Sequence, residues 1–213
     1  PTLSDTKWQQ NFETAVSLNV PHISCYALTV EPKTALEKMI AQHKIENVDA
    51  GTQSRQFELL MQWTEEAGYE HYEISNFAKP GHRSRHNSSY WQGKEYLGLG
   101  PSAHSFDGSS RQWNVANNAL YLKSIEQNMV PFEKEVLTAT QQLNEYIMTS
   151  LRTMEGLSLQ FVITKWGAGS TDKIMLASKR YLNEGMMLEK DQQLMLTKKG
   201  KLFADGIAAD LFT

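Results

Sequence analysis

The chain has 213 residues, 40% hydrophobic and 21% charged, with a net charge of −3, an ordinary globular mixture sufficient for one substantial unit and one small one. Its mean hydropathy of −0.48, with no apolar run near the roughly 18–20 residues that cross a bilayer, excludes a helical membrane protein. The weak charge gives no reason to expect nucleic acid or acidic lipid as the main partner.

Pro1-Thr2-Leu3-Ser4-Asp5 lacks the basic-then-apolar pattern of a secretory signal. Ser4 can cap a helix in which Trp8, Phe12, Ala15 and Val16 recur at helical spacing, and Asn19-Val20-Pro21 ends it. An apolar strand over 23–30 follows. The single cysteine, Cys25, falls in it, cannot form an intrachain disulfide, and reads as a buried thiol in a reducing cytoplasm. Glu31-Pro32-Lys33 breaks the strand ahead of a short helix to His43. Phe57, Leu60, Met61 and Thr64 then mark an amphipathic helix closed by Gly68, and 69–75 reads as the next strand.

Helix, strand, helix, strand is the order of crossover units on a parallel sheet. The pattern opens in mid-repeat, so earlier repeats are expected upstream of Pro1. From Asn76 to Asn114 a long polar segment with embedded aromatics reads as a functional loop. Asn117 can cap a helix with Leu120, Tyr121 and Ile125, and Met129-Val130-Pro131 reads as a linker, which places a domain boundary at 131/132. Beyond it come helices over 138–154, 158–166 and 170–183, a hairpin over 186–196, and a last helix from Thr197 to Leu211. Three helices followed by a hairpin form a winged-helix-like pattern. The fold class expected is therefore α/β plus α+β: the end of a partial barrel over 1–131 and a small winged-helix-like domain over 132–213.

The densest chemical constellation is Arg83-Ser84-Arg85-His86-Asn87-Ser88-Ser89-Tyr90-Trp91. An imidazole flanked by cations, with two aromatic rings a few residues on, offers an iron ligand and flat surfaces for a macrocycle. The same residues can also be a hydrogen-bonded loop with solvated charges. Lys79, Arg83, Arg85 and Lys94 around it could meet heme propionates, and Glu73 and Asn76 sit where strand alternation could turn them to a polar cavity. Gly98 and Gly100 lack the strand-to-helix setting of a dinucleotide site and more simply permit a tight backbone path.

Tyr72-Glu73-Ile74-Ser75-Asn76-Phe77-Ala78-Lys79-Pro80-Gly81, the His-Asn-x-x-Tyr-Trp segment at His86 to Trp91, and Tyr96-Leu97-Gly98-Leu99-Gly100-Pro101-Ser102-Ala103-His104-Ser105-Phe106 resemble the radical S-adenosylmethionine family, in its branch of HemW-type heme chaperones and oxygen-independent coproporphyrinogen III oxidases. Weaker similarity runs through 22–32 and to the end of the chain. The resemblance implies a partial parallel barrel whose [4Fe-4S] cluster, on a Cys-x-x-x-Cys-x-x-Cys loop, cleaves S-adenosylmethionine. It implies heme binding by His86, Asn87, Tyr90 and Trp91, and Thr29, Glu31 and His104 facing S-adenosylmethionine. One cysteine cannot build that cluster, so the N-terminal, cluster-binding part is expected to be missing and radical chemistry is not expected of this chain alone.

Two roles follow from the resemblance: holding heme for an acceptor protein, or oxidising coproporphyrinogen III. The His-Asn-x-x-Tyr-Trp segment resembles the chaperone branch, and the resemblance leaves room for a membrane-associated acceptor. A nucleic-acid-binding module is the third reading, prompted by the winged-helix-like pattern. Residues 138–213 carry nine Lys or Arg against eight Asp or Glu, a balance that argues against a phosphate-binding face.

Overall fold

Side-chain oxygens satisfy the free N–H groups that open most helices. In a computed structural model that describes residues 2–213, Ser4 accepts from the Lys7 N–H and starts α1 (Asp5–Ser17), Thr34 starts α2 (Ala35–Ala41) and Asp49 starts α3 (Ala50–Glu66). The apolar stripes of α1 and α3 meet: the rings of Phe12 and Trp63 stack 5.9 Å apart, and Trp8 Nε1 donates to the Gln56 carbonyl at 3.1 Å. Phe12, Leu60, Tyr69 and Phe77 are the buried centre of this first core.

Its sheet consists of β1 (His22–Ser24), β2 (Glu70–Glu73) and β3 (Asn76–Ala78), in the order β1-β3-β2. Both pairings are antiparallel, which departs from the expected parallel crossover. The reason is local. The chain reverses tightly after Glu73 and sends β3 back between the two longer-range strands, so β1 and β2 run in the same direction without touching. The strand expected over 23–30 also stops at Ser24, and 25–30 continues without ladder bonds. Cys25 therefore lies just past the strand and is only half-buried, with its N–H bonded to the Ser75 carbonyl at 2.8 Å.

The segment expected as one long loop is partly ordered into short elements. It holds β3, then α4 (Arg85–Trp91), β4 (His104–Phe106) and β5 (Ser110–Asn114). Asn117 caps α5 (Asn118–Ile125), as its position suggested. β6 (Phe132–Val136) then pairs along its whole length with β5, giving an antiparallel sheet β4-β5-β6. Hydrogen bonds of that sheet cross the boundary expected at 131/132, and Met129-Val130-Pro131, without regular structure, leads from the turn after α5 into β6.

The C-terminal unit is assembled from α6 (Ala139–Leu151), β7 (Leu157–Ser158), α7 (Leu159–Trp166), α8 (Ala168–Asn183), β8 (Met187–Lys190) and β9 (Gln193–Leu196). A capping box between Thr138 and Gln141 opens α6. The hairpin turns at Asp191 and Gln192, both with positive φ (51° and 60°), the geometry whose twist suits a two-residue connection. The sheet order is β7-β9-β8, all antiparallel. The expected last helix is two pieces, α9 (Lys198–Lys201), capped by Thr197, and α10 (Ala204–Asp210). Ile147, Leu157, Val162, Ile174 and Leu194 are fully buried in one core, each contributing about 1.5–3 kcal/mol relative to exposure.

The two units are sewn together at the end of α6. The Ile74 N–H donates to the Arg152 carbonyl at 3.1 Å and the Met154 N–H to the Tyr72 carbonyl at 3.0 Å. Ile74 itself packs against the C-terminal core.

Candidate functional site on helix α4

Ser84 Oγ accepts from the Asn87 N–H at 3.2 Å and starts α4. Residues four apart on a helix share a face, so this one turn and a half sorts the His-Asn-x-x-Tyr-Trp segment into two pairs. His86 and Tyr90 form the outer pair, both exposed; their rings meet edge to face at 5.0 Å and 88°. Tyr90 in turn meets Tyr96 at 4.9 Å and 72°. Tyr96 is fastened to Phe106 by two backbone hydrogen bonds of 2.9 Å. The result is an aromatic row from the imidazole to the edge of the β4-β5-β6 sheet.

Asn87 and Trp91 form the inner pair. Asn87 Nδ2 donates to Asn76 Oδ1 at 3.3 Å, and the half-buried Trp91 ring lies beneath the Arg152 guanidinium, 5.0 Å from its centroid. The four residues expected to bind together thus do not share one surface.

Behind the inner pair is a buried polar network. Glu73 and Asn76 are only 1% and 2% exposed. Arg152 donates from Nε and Nη2 to Glu73 Oε1 at 3.0 and 2.9 Å and from Nη1 to Asp205 at 3.1 Å. The other carboxylate oxygen accepts from the Ser75 N–H at 3.0 Å and from the Asn76 amide. Asn76 Oδ1 also accepts from Ser24 Oγ at 2.7 Å. Strand alternation points Glu73 and Asn76 inward, whereas nothing in the sequence around Arg152 points to its partner, 79 residues away. An acid and an amide three residues apart, on either side of the reversal between β2 and β3, were the available signal.

The remaining expected residues lie elsewhere. Thr29 and Glu31 are exposed in the connection after β1, where Thr34 Oγ1 donates to the Glu31 carbonyl at 2.8 Å; they do not end a sheet strand. His104 opens β4, exposed, its ring 6.4 Å from that of Trp113. Among the described residues no hydrogen bond or ring contact joins these three to His86. Of the basic residues near α4, Arg83 is bound to Glu70 at 3.0 Å and Glu155 at 2.6 Å. Lys79 donates to the Ala67 carbonyl and lies over Tyr69 at 4.2 Å. Arg85 and Lys94 stay exposed.

No group of three or more His, Cys, Asp or Glu side chains among the described residues is placed to hold a metal ion. Cys25 is one cysteine where a cluster of this kind requires three, and burial pushes its thiol up to about 11. The residues present do not fit an iron-sulfur cluster.

No protein-family model matches the chain. It is 31% identical over 212 residues to the heme chaperone HemW of Mycobacterium tuberculosis, covering 99% of the chain and 52% of that protein, and 30% identical over 200 residues to the HemW of Bacillus subtilis, covering 93% and 53%. The chain is homologous to the C-terminal half of the HemW-type proteins of the radical S-adenosylmethionine family. It spans about half the length of the curated relatives it matches. The HemW of Escherichia coli is 28% identical over 197 residues. The structure also superposes on coproporphyrinogen III oxidase (HemN) of Escherichia coli with a TM-score of 0.77, covering 100% of this chain and 52% of that one at 16% identity. At that identity the likeness concerns the fold, a mixed α/β arrangement common to the C-terminal halves of HemN and the HemW-type segment described here.

Proposed function

We propose that this chain is the heme-gripping portion of a heme chaperone, with heme as cargo for an acceptor protein. His86 is the axial ligand: an exposed imidazole at the start of α4 is free to present a ring nitrogen to iron. Tyr90 and Tyr96 provide ring edges and faces against which a macrocycle packs, and Arg85 and Lys94 are the cations left for its propionates. Asn87 and Trp91 act from behind, by fixing the helix. The observation that carries this reading is the exposed His86 ring held edge-on against Tyr90 and continued by Tyr96, in a chain about 30% identical to proteins called heme chaperones.

In the same reading the [4Fe-4S] cluster and S-adenosylmethionine belong to parts of the parent protein beyond these residues, and Thr29, Glu31 and His104 face that cofactor's cavity. The C-terminal unit is read as winged-helix-like from its helix-strand-helix-helix-strand-strand order, serving as a lid or an acceptor-facing surface in a cytoplasmic protein. A filter-binding assay at low salt is expected to show no tight DNA binding; tight, salt-sensitive binding would restore the nucleic-acid reading. Coproporphyrinogen III oxidation is the second reading, favoured by the fold shared with HemN. It requires cluster ligands that these residues do not supply.

The test is a hemin titration of the chain and of its His86→Ala variant, followed at the Soret band. A shifted band and an affinity lower by about tenfold or more are expected in the variant, the loss of one iron bond. Identical spectra and affinities would remove His86 as the ligand and the reading with it.

A further inference from the structure

We propose that Arg152 is a positioning residue for heme capture, through which the C-terminal unit sets how α4 presents His86. This rests on the reading of His86 as the heme ligand. Arg152 stands at the C-cap of α6, in the other unit from α4. Its guanidinium does two things at once. One edge donates twice to the fully buried Glu73, and its central carbon lies over the Trp91 ring, 5.0 Å from the centroid.

Glu73 in turn fixes Asn76, and Asn76 accepts from Asn87. Both inner residues of α4 are therefore traced to one ion pair: Trp91 directly, Asn87 through Asn76. A seven-residue helix cannot hold itself together in water, because nucleation is costly and few bonds repay it. What orients α4 is its inner face, and among the described residues the only side chain of the C-terminal unit that the ring contacts and hydrogen bonds place on that face is Arg152. His86 and Tyr90 lie on the same turns as Asn87 and Trp91, so rotation or fraying of α4 moves the ligand with them.

Arg152 does not touch the proposed heme face, so its effect is separable from ligation. In a Glu73→Gln/Arg152→Gln double variant the buried charges disappear together while the two amides can hydrogen-bond to each other, which avoids leaving one charge unpaired. Hydrogen exchange of the α4 backbone amides, read on the chain without heme, is expected to accelerate by about tenfold, the scale of a lost cation–π contact. Exchange in α8 is expected to stay unchanged. Hemin affinity is expected to fall by a similar factor, while the Soret position of the bound form, still ligated by His86, stays where it was. Unaltered α4 exchange and unaltered affinity would overturn the proposal.

Should the double variant fail to melt cooperatively, Arg152→Lys answers the same question. Lysine keeps a charge opposite Glu73 but has no flat fork to lie over an indole, so α4 is expected to exchange faster there too, and wild-type exchange in it would count against the proposal. A hemin spectrum that ignores His86→Ala while α4 exchange responds to Arg152 would cost the proposed function and leave Arg152 as the anchor of α4.

Discussion

Arg152 sets Nε and Nη2 on a single oxygen of Glu73, at 3.0 and 2.9 Å, where Glu73 is 1% exposed. A carboxylate that far from water depends on its partner. Arg152→Ala is therefore expected to lower the free energy of unfolding by about 3 kcal/mol, the scale for stranding a buried charge. Urea denaturation measures it; a loss below about 1 kcal/mol would mean that solvent reaches Glu73 once the arginine is gone.

His71 stacks on Phe77 at 4.2 Å and bonds through Nε2 to the Ile74 carbonyl at 2.9 Å. Burial, reinforced by the Lys201 charge, pushes its pKa down from 6.5 to about 3. Between those two values the unfolded chain binds a proton that the folded chain refuses, so stability is complete above pH 6.5 and declines as pH falls toward 3, by up to about 1.4 kcal/mol per pH unit. Burial lowers His22 as well and adds slope of the same sign. His71→Gln is expected to flatten, without abolishing, the dependence of the urea midpoint between pH 7 and 5. A variant with the wild-type slope would refute the assignment.

Lys201, which donates to the His71 carbonyl at 3.3 Å, is pushed down from 10.5 to about 8, first by burial and then by Lys198. The folded chain sheds this proton earlier than the unfolded chain does. Its contribution therefore makes stability rise with pH between 8 and 10.5. Lys201→Met is expected to remove that rise, as seen in thermal unfolding at pH 8 and pH 9.5; a rise that persists in full would assign it to other groups.

With its thiol raised to about 11 by burial, Cys25 holds very little thiolate at neutral pH. Iodoacetamide at pH 8 is expected to label the folded chain at least about tenfold more slowly than the urea-unfolded chain. Equal rates would show that the thiol is open to solvent.

Gly98 lies against the backbone of His104, where a Cβ would overlap the His104 carbonyl, and its N–H donates to Ser105 Oγ at 3.0 Å. Backbone cannot yield as a side-chain end can. Gly98→Ala is expected to cost about 2 kcal/mol or more, read as a lower melting temperature; a neutral substitution would mean that the turn before β4 shifts freely.

Much of this fold was legible because caps are local chemistry. Ser4 and Asn117, expected as caps, and Thr138, Ser158 and Thr197, expected as helix starts, each accept from an N–H three residues on. α4 was not: His, Asn and Ser are middling helix formers, and the contacts that dock it, through Trp91 and Asn87, are with residues distant in sequence. The antiparallel β3 was hidden because Asn76, Phe77 and Ala78 are too few to show a period. The β5–β6 pairing was hidden because β6 is exposed along its length and carries no buried alternation. At the candidate site, the histidine and its rings were visible as composition, whereas their division into an outer and an inner pair required knowing that the segment is helical.

The most direct measurement is rescue by free imidazole. Hemin bound to the chain is expected to give a Soret band that His86→Ala displaces and that added imidazole returns to the wild-type position, since the small molecule fills the vacated ligand place. A His86→Ala spectrum already identical to wild type, with imidazole shifting both alike, would contradict the account.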